Sequence, residues 1–382
     1  MDNNKKNVLI ACDSSHTLLE FRGKLIEELV KGNNVAVFTP TIARQQVRDK
    51  LESLHVKIYE NDLNGSNVSI FSDLKYIIQL HKLIKKTKPD VFFPYTFKPV
   101  IYGTMIAKIC KIACITPMLT GLGYNFSNNG TKNRLVSAIT KILLKISLRG
   151  NKGIRIIFQN KDDYHKLLET GIISRQQEAF VVNGSGVDLS HYEYTEPDTS
   201  NISFLMISRL INAKGVKEYY EAAKTIRHKY PDAKFKLIGS FDNNIDSITL
   251  ELFSKILFDD TIEYIGRVDD VRPYIKNASI VVLPSYYGEG VPRCILEGMA
   301  MGRAIITCDS VGCRETIHNS SVGRNGFLVP VRNVSALALK MEYYINNTTD
   351  IVLYGLNGRS FAKEKFDVDL VNADMLRIMN LG

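Results

Sequence analysis

The 382-residue chain has no run approaching about 18 uncharged apolar residues, so no transmembrane helix is expected. The first residues, Met1-Asp2-Asn3-Asn4-Lys5-Lys6, lead straight into the apolar run Val8–Ala11 and lack the hydrophobic region of a secretion signal. Cysteine is sparse, with six in all. Cys110 and Cys114 stand four apart and Cys308 and Cys313 flank a loop, but neither pair has the second C-x2-C or the histidine pair that a zinc site needs. Reduced, buried thiols are expected instead. No G-x-G-x-x-G follows the first strand, which argues against a nicotinamide oxidoreductase. Internal repeats of roughly 20–50 residues and low-complexity tracts are also missing.

Acidic residues are missing from one region above all. Residues 101–150 hold seven Lys+Arg and no Asp or Glu. Residues 1–190 carry 27 basic against 16 acidic residues and residues 191–382 carry 22 against 24, so the net charge of +9 belongs to the first half. Such a face suits an anionic membrane or nucleic acid. Hydrophobic content of 45% and charged content of 23% are ordinary for a soluble globular protein.

What is present is an alternation of strands and helices. Val8–Ala11, Val35–Phe38, Val91–Pro94, Cys114–Leu119 and Ile154–Phe158 read as strands, with helices over Glu20–Lys31, Ser72–Lys88 and Tyr102–Lys111. The pattern restarts with strands Ile202–Ile207, Phe235–Ile238, Ile262–Ile265, Ile280–Pro284 and Ala304–Thr307 and helices Val216–Lys229, Val271–Ala278 and Pro292–Met301. Two such runs predict an α/β protein of two doubly wound domains, residues 1–185 and 202–365. The break falls at Asn183–Asp188 and the polar stretch Glu193–Asn201, so residues 186–201 read as a linker.

The richest stretch is Gly288-Glu289-Gly290-Val291-Pro292-Arg293-Cys294-Ile295-Leu296-Glu297-Gly298. Ala278–Pro284 before it is a buried parallel strand, and Pro292 suits the first position of a helix. Glu289 then lies in the loop at the strand's carboxyl edge and Glu297 in the helix. That edge is where open α/β sheets bind ligands. The N–H groups of Gly290, Val291 and the residues after Pro292 suit an anion. Glycines 288, 290 and 298 would let backbone approach the ligand. A phosphate-bearing ligand with hydroxyls for two carboxylates is a sugar nucleotide.

This stretch resembles the E-x7-E motif of the family 4 retaining glycosyltransferases, and Arg209-Leu210-Ile211-Asn212-Ala213-Lys214-Gly215 resembles their R-x4-K-G element. Phe21-Arg22, Thr120-Gly121-Leu122-Gly123 and Lys214–Glu221 resemble the bacterial branch that extends polyprenyl-diphosphate-linked sugars with hexosyl or N-acetylgalactosaminyl units. The resemblance implies the GT-B fold, two Rossmann-like domains facing across a cleft, with the C-terminal helix (366–382) returning to the first domain. It implies catalytic roles for Glu289 on the donor sugar and for Arg209 and Lys214 on the donor diphosphate. It implies donor contacts from Glu297 to the ribose, from Gly290, Val291 and Pro292, and from Arg267 and Val268 to the base. Glu315, in the loop after Ala304–Thr307, faces the same edge. No cofactor beyond the nucleotide sugar and no metal is implied, since Arg and Lys neutralise the leaving group. Asp162-Asp163, Asp259-Asp260 and Asp269-Asp270 are not D-x-D motifs and read as turn and cap residues.

Two departures from the family stand in the first half. The loop Asp13-Ser14-Ser15-His16-Thr17 lacks the usual glycine pair, leaving the hydroxyls of Ser14 and Ser15 as the substitute phosphate contact and His16 as a candidate base or a plain surface histidine. No histidine lies between His81 and His165, so the donor contact expected there falls to Gly121 and Gly123 backbone or to Thr120, Tyr124 or Asn125. The expected helix Thr131–Arg149 carries Leu135, Ile139, Ile142, Leu143 and Ile146 on one side, with Lys132, Arg134, Lys141, Lys145 and Arg149 around it. It reads either as a membrane-surface helix or as a core helix with a basic back.

The sequence thus predicts a glycosyltransferase acting from UDP-sugar onto a polyprenyl-diphosphate-linked acceptor, peripheral on the inner face of the cytoplasmic membrane. Its partners are the donor, the acceptor and anionic lipid, not nucleic acid. A GT-B transferase or nucleotide-sugar epimerase with a soluble substrate is the alternative, and a basic nucleic-acid-binding protein a distant one.

Overall fold

The computed structural model describes residues 5–63, 70–126, 134–150, 153–241, 246–318, 320 and 322–382. Of the expected site residues, Lys132 lies outside the described residues, as do the side chains of Arg134, Leu135, Tyr124 and Asn125. The chain forms two units, Met1–Ser185 with Leu370–Gly382 and Gly186–Asp369.

In the first unit, β1 (Asn7–Ala11), β2 (Asn34–Pro40), β3 (Lys57–Asn61), β4 (Val91–Pro94) and β5 (Cys114–Ile115) form a parallel sheet in the order β3-β2-β1-β4-β5. Helices α1 (His16–Gly32), α2 (Gln45–Ser53), α3 (Ile70–Thr87) and α4 (Thr104–Ile109) follow the successive strands. The expected strand Cys114–Leu119 is split. Pro117 has no N–H to give a ladder, and pairing resumes at β6 (Met118–Leu119), which leads through α5 (Arg134–Leu148) to β7 (Ile156–Phe158), α6 (Lys161–Glu169) and β8 (Ala179–Val181). Isolated bridges Tyr95↔Met118 and Ile115↔Ile154 carry the parallel pairing across the break. The expected helix Tyr102–Lys111 starts earlier and ends earlier: a π turn, Pro99–Gly103, leads into α4, which ends at Ile109.

The second unit has one sheet of β9 (Ser203–Ile207), β10 (Lys234–Ile238), β11 (Glu263–Gly266), β12 (Ile280–Leu283), β13 (Ala304–Cys308) and β14 (Gly326–Val329), parallel throughout, in the order β11-β10-β9-β12-β13-β14. Helices α7 (Val216–Lys229), α8 (Leu250–Phe258), α9 (Arg272–Lys276), α10 (Arg293–Ala300), α11 (Val334–Asn346) and α12 (Thr348–Lys365) cover it, and α13 (Val368–Ile378) follows. Ile280, Val281, Val282 and Leu283 are all buried, as a strand covered on both faces requires. Residues 186–201 carry no regular element but belong to this unit. Val187 N–H donates to Phe366 carbonyl at 2.8 Å, and Tyr192 is buried.

The end of the chain belongs to the first unit's core, where Val371, Met375, Ile378 and Met379 pack with Val8, Ile10 and Val91. Arg155 Nη1 donates to Ile378 carbonyl at 2.8 Å. Each such apolar side chain contributes about 1.5–3 kcal/mol on burial before ordering costs.

Gly298 has a reason other than the expected ligand approach. A Cβ there would lie 2.8 Å from Val281 Cγ2 and 3.5 Å from Ile305 Cδ1, so this glycine lets α10 lie close on β12 and β13. Gly298→Val should therefore overpack that contact and lower stability by about 1–3 kcal/mol. Urea unfolding checks it. The midpoint should fall with the slope unchanged, and an unshifted midpoint would mean that α10 can move off the sheet freely.

Candidate active site

Because every strand of the second sheet is parallel, all the loops leaving its carboxyl ends gather on one edge. Strand order reverses between β9 and β12, which makes the gap between their loops the ligand-binding switch point. The loop after β9 holds Arg209 and a 3₁₀ turn, Asn212–Lys214; the loop after β12 holds Ser285 and Glu289. The two loops are laced together at one atom. The Ala213 carbonyl accepts Tyr286 N–H at 2.8 Å, Tyr287 N–H at 3.0 Å and Ser285 Oγ–H at 3.3 Å. Gly215 permits this approach, since at φ +77° its Cβ would sit 2.2 Å from the Pro284 carbonyl oxygen.

The lacing pairs the chemistry. Lys214 Nζ donates to Glu289 Oε1, which also accepts Ser285 Oγ–H at 2.9 Å. The Tyr287 ring lies beneath the Lys214 ammonium, 5.5 Å from it. Side-chain exposure is only 15% for Lys214 and 11% for Glu289, so the pair is largely desolvated. Burial pulls the Lys214 ammonium down, but the Glu289 carboxylate more than offsets this and holds it above its ordinary value. Arg209 is exposed; its carbonyl accepts Ile211 N–H at 2.9 Å and Ser208 Oγ–H at 3.1 Å, while its guanidinium forms no hydrogen bond or ion pair among the described residues.

Glu297 is buried in α10 and held from two sides. Its Oε1 accepts Tyr192 Oη–H at 2.8 Å and Arg293 Nε–H at 2.6 Å. Burial first, then the Glu297 carboxylate, push the Tyr192 hydroxyl up. Gly290, Val291 and Pro292 form the buried entry to α10. The N–H groups of Val291 and Cys294 meet no protein acceptor among the described residues, leaving donors at a helix N-terminus. The neighbouring Cys294 thiol is raised by burial and is a structural group rather than a nucleophile.

The other expected residues fall around this centre or outside it. Arg267 and Val268 follow β11 on the same edge, Arg267 exposed and Val268 packed on the core. Glu315 lies in the loop after β13, where it is ion-paired with Lys365 Nζ at 3.0 Å. Ser14 lies in the first unit, where its carbonyl accepts Thr17 Oγ1–H at 3.2 Å. His16 is exposed at the start of α1. Gly121 and Gly123 both take left-handed backbone, φ +115° and +52°, and between them the Leu122 N–H is held by Asp163. Burial pushes the Asp163 carboxyl up to about 7. On α5, Ile139, Ile142 and Ile146 are exposed, Leu144 and Leu148 face the core, and Leu143 is half-buried. Lys145 is exposed, Lys141 lies over the Phe126 ring at 5.2 Å, and Arg149 Nη2 donates to the Gly171 carbonyl at 2.6 Å.

Sequence reading missed several members. Arg293 stands four residues before Glu297 and was legible as a helix ion pair. Tyr192 gave no signal, standing in a stretch that reads as a linker. The first unit's own switch point, between β1 and β4, carries a polar network. There Asp13 bonds Thr96, which sits at φ +71°, while Lys98 Nζ at 2.7 Å and Tyr102 Oη at 2.9 Å hold Asp73. Burial raises the Asp13 carboxyl, and burial together with Asp73 pushes Tyr102 up to about 12. Among the described residues no group of three or more His, Cys, Asp or Glu could hold a metal ion, and no helix is long and apolar enough to cross a membrane.

Two parallel Rossmann-like units, one carrying a cation and carboxylate cluster at its switch point, define a GT-B glycosyltransferase. Residues 8–160 match the family described as Glycosyl transferase 4-like, and residues 201–347 match Glycosyl transferases group 1. The chain belongs to this family, the family 4 glycosyltransferases. It is 27% identical over 344 residues to N,N'-diacetylbacillosaminyl-diphospho-undecaprenol alpha-1,3-N-acetylgalactosaminyltransferase of Campylobacter jejuni, covering 87% of each chain. It is 23% identical over 286 residues to UDP-Gal:alpha-D-GlcNAc-diphosphoundecaprenol alpha-1,3-galactosyltransferase of Escherichia coli, covering 71% of this chain and 70% of that one. In fold it is similar to HepE of Anabaena in complex with UDP and glucose, with TM-score 0.76 at 16% identity over 98% of this chain and 99% of that one. It is similar also to sucrose-phosphate synthase of Thermosynechococcus elongatus, with TM-score 0.80 at 16% identity over 98% of each.

The Lys214–Glu289 pair should be felt in stability. Lys214→Met leaves a desolvated carboxylate unpaired and should cost about 3–5 kcal/mol, and adding Glu289→Gln should recover most of it. Urea unfolding of the single and double variants at neutral pH measures this. The folded-state value of Lys214 is raised, so its contribution is full below the unfolded value of about 10.4 and is lost only as pH rises through the higher folded value. A double variant as unstable as Lys214→Met alone would show that the two groups are not coupled.

Proposed function

We propose that the chain moves a hexose or N-acetylhexosamine from a nucleotide diphosphate sugar, with UDP as carrier, to a polyprenyl-diphosphate-linked glycan. The setting is assembly of a bacterial surface polysaccharide or glycoprotein glycan at the inner face of the cytoplasmic membrane. The observation that carries this reading is the exposed Arg209 beside the Lys214–Glu289 pair at the β9/β12 switch point. The acceptor class rests on the two relatives named above, both of which act on sugars linked to diphosphoundecaprenol. Membrane placement rests on the exposed Ile139, Ile142 and Ile146 and the basic residues around them.

The chemistry asked of these residues is charge neutralisation and alignment. The diphosphate approaches Arg209 first, as the exposed cation. It then competes with Glu289 for Lys214, and the displaced carboxylate turns to the hydroxyls of the sugar. Glu297, fixed by Tyr192 and Arg293, takes the ribose hydroxyls. As the bond from the anomeric carbon to the diphosphate oxygen breaks, negative charge grows on that oxygen beside Arg209, Lys214 and the N–H groups of α10. The acceptor hydroxyl attacks from the same face and passes its proton to the leaving phosphate oxygen, so configuration is retained. No metal has a part in this scheme, because the two cations neutralise the leaving group.

Three substitutions separate the roles. Arg209→Ala should lower turnover about 10²–10³-fold with little change in folding, and turnover within threefold of wild type would remove the residue from the mechanism. Glu297→Ala should weaken calorimetrically measured UDP binding. Glu289→Ala should leave UDP affinity at or above the wild-type level, because Lys214 loses its competitor, while turnover falls. Equal losses of UDP affinity in both would contradict the division. Dependence of transfer on detergent or vesicles, with a synthetic polyprenyl-diphosphate acceptor, separates this reading from a transferase or epimerase with a soluble substrate.

A further inference from the structure

The exposed isoleucines of α5 are not the only apolar side chains turned to solvent on the first unit. On α3, Phe71 is 89% exposed, Leu74 54% and Ile78 48%. They stand at i, i+3 and i+7, so they form one stripe along the helix. The stripe is not the face that holds α3 to the protein, because Asp73, Tyr76, Leu80, Leu83 and Ile84 do that. Continuing along it, Lys82 and Lys85 are exposed at the next two turns. The helix therefore runs from apolar to basic on a single outward face.

This face does not stand alone. The Pro99–Gly103 turn and α4 pack against both α3 and α5, and Ile109 of α4 is itself 68% exposed. Three adjacent elements thus present large apolar side chains outward. Around them stand Lys82, Lys85, Lys111 and Lys145; the 101–150 stretch holds no acidic residue, and the one carboxylate lining a pocket with Lys85, Lys88 and Lys111 is Asp90. Apolar groups of this size ringed by cations fit the boundary between headgroups and acyl chains of an anionic bilayer. A protein partner would have to meet lysines and isoleucines with a matched acidic rim, whereas anionic lipid supplies both chemistries at once.

We propose that α3 is a second membrane-inserting element, and that the first unit docks on anionic lipid through the Phe71-Leu74-Ile78 stripe together with the isoleucines of α5. This rests on the membrane placement proposed above and adds to it an element with no counterpart in the basic-helix argument. Two inserting helices joined through α4 fix the unit's tilt on the bilayer, which one helix free to roll about its axis does not.

The chain contains no tryptophan, so a single introduced indole is a clean reporter. Phe71→Trp, Ile142→Trp and, as a control on the second unit, Phe258→Trp all replace exposed side chains. Each variant is mixed with vesicles of phosphatidylcholine and phosphatidylglycerol whose acyl chains carry bromine, which quenches indole on contact. F71W and I142W should each lose about half or more of their emission, as expected for side chains about 5–10 Å into the headgroup–acyl boundary, while F258W keeps its emission. Quenching of I142W without F71W would overturn the role of α3 and leave docking through α5 intact. Quenching of neither would overturn the membrane reading as well. Equal quenching of all three would mean adsorption without a defined face, which also overturns the proposal. In parallel, Phe71→Glu with Leu74→Glu should weaken vesicle binding about 10-fold or more, because binding scales with buried apolar area. Unchanged vesicle binding in a folded double variant would count against α3 as firmly as the quenching result.

Discussion

One backbone carbonyl organises the candidate site at the carboxyl edge of the second unit's sheet. Ala213 accepts three donors from the β12 loop, and only the missing side chain at Gly215 lets the two loops close to that distance. Everything chemical on that edge depends on the contact. It brings Lys214 against Glu289, two residues 75 positions apart, and it sets Tyr287 under the ammonium. It also sets where the chain turns into α10, and so where the α10 donors lie. A substitution that separated the loops would leave every side chain of the motif present and the site gone.

The second constraint is electrostatic. A carboxylate removed from water needs a partner or it takes up a proton. Each glutamate expected to meet the donor has one: Glu289 has Lys214, Glu297 has Arg293 and Tyr192, and Glu315 has Lys365. Arg209 differs, its guanidinium exposed and without a hydrogen bond or ion pair among the described residues. The R-x4-K element is therefore not two equivalent clamps. One cation is open to solvent and the other is already occupied, so the diphosphate binding proposed at Lys214 would be an exchange rather than an addition. The pairing keeps Lys214 and Glu289 satisfied in the absence of a ligand, so neither stands as a desolvated lone charge.

Much of the frame was legible because it rests on periodicity. Ile280–Leu283, Ser203–Ile207 and Val216–Lys229 are uniformly patterned segments, and each forms the element its pattern predicts. The failures have local causes. Cys114–Leu119 reads as one strand because, Thr116 apart, its side chains are apolar, yet Pro117 cannot donate to a ladder and divides it. Gly298 reads as a place for a ligand, yet its hydrogen makes room for Val281. Tyr192 was invisible for a deeper reason. Its partner is 105 residues away, and the stretch around it has the composition of a linker, so only tertiary structure reveals that it holds Glu297. The Asp13–Thr96 contact is of the same kind, joining loops after β1 and β4 that are neighbours in the sheet and distant in the chain.

The uneven charge along the chain acquires a meaning from these two kinds of contact. The first 190 residues hold an excess of eleven positive charges, and the rest are nearly balanced. Exposed lysines such as Lys82, Lys85 and Lys145 act through a field that salt screens over about 8 Å at physiological ionic strength. Lys214 and Glu289 are mutually bonded and largely shielded from water, where salt has little access. The donor is itself an anion, and a strongly basic second unit would draw polyphosphates of every kind to it. Near-balance suits the proposal that the donor is recognised by short, directional contacts at the switch point. The field is reserved for the unit whose proposed partner, an anionic surface, is broad and needs no directional fit.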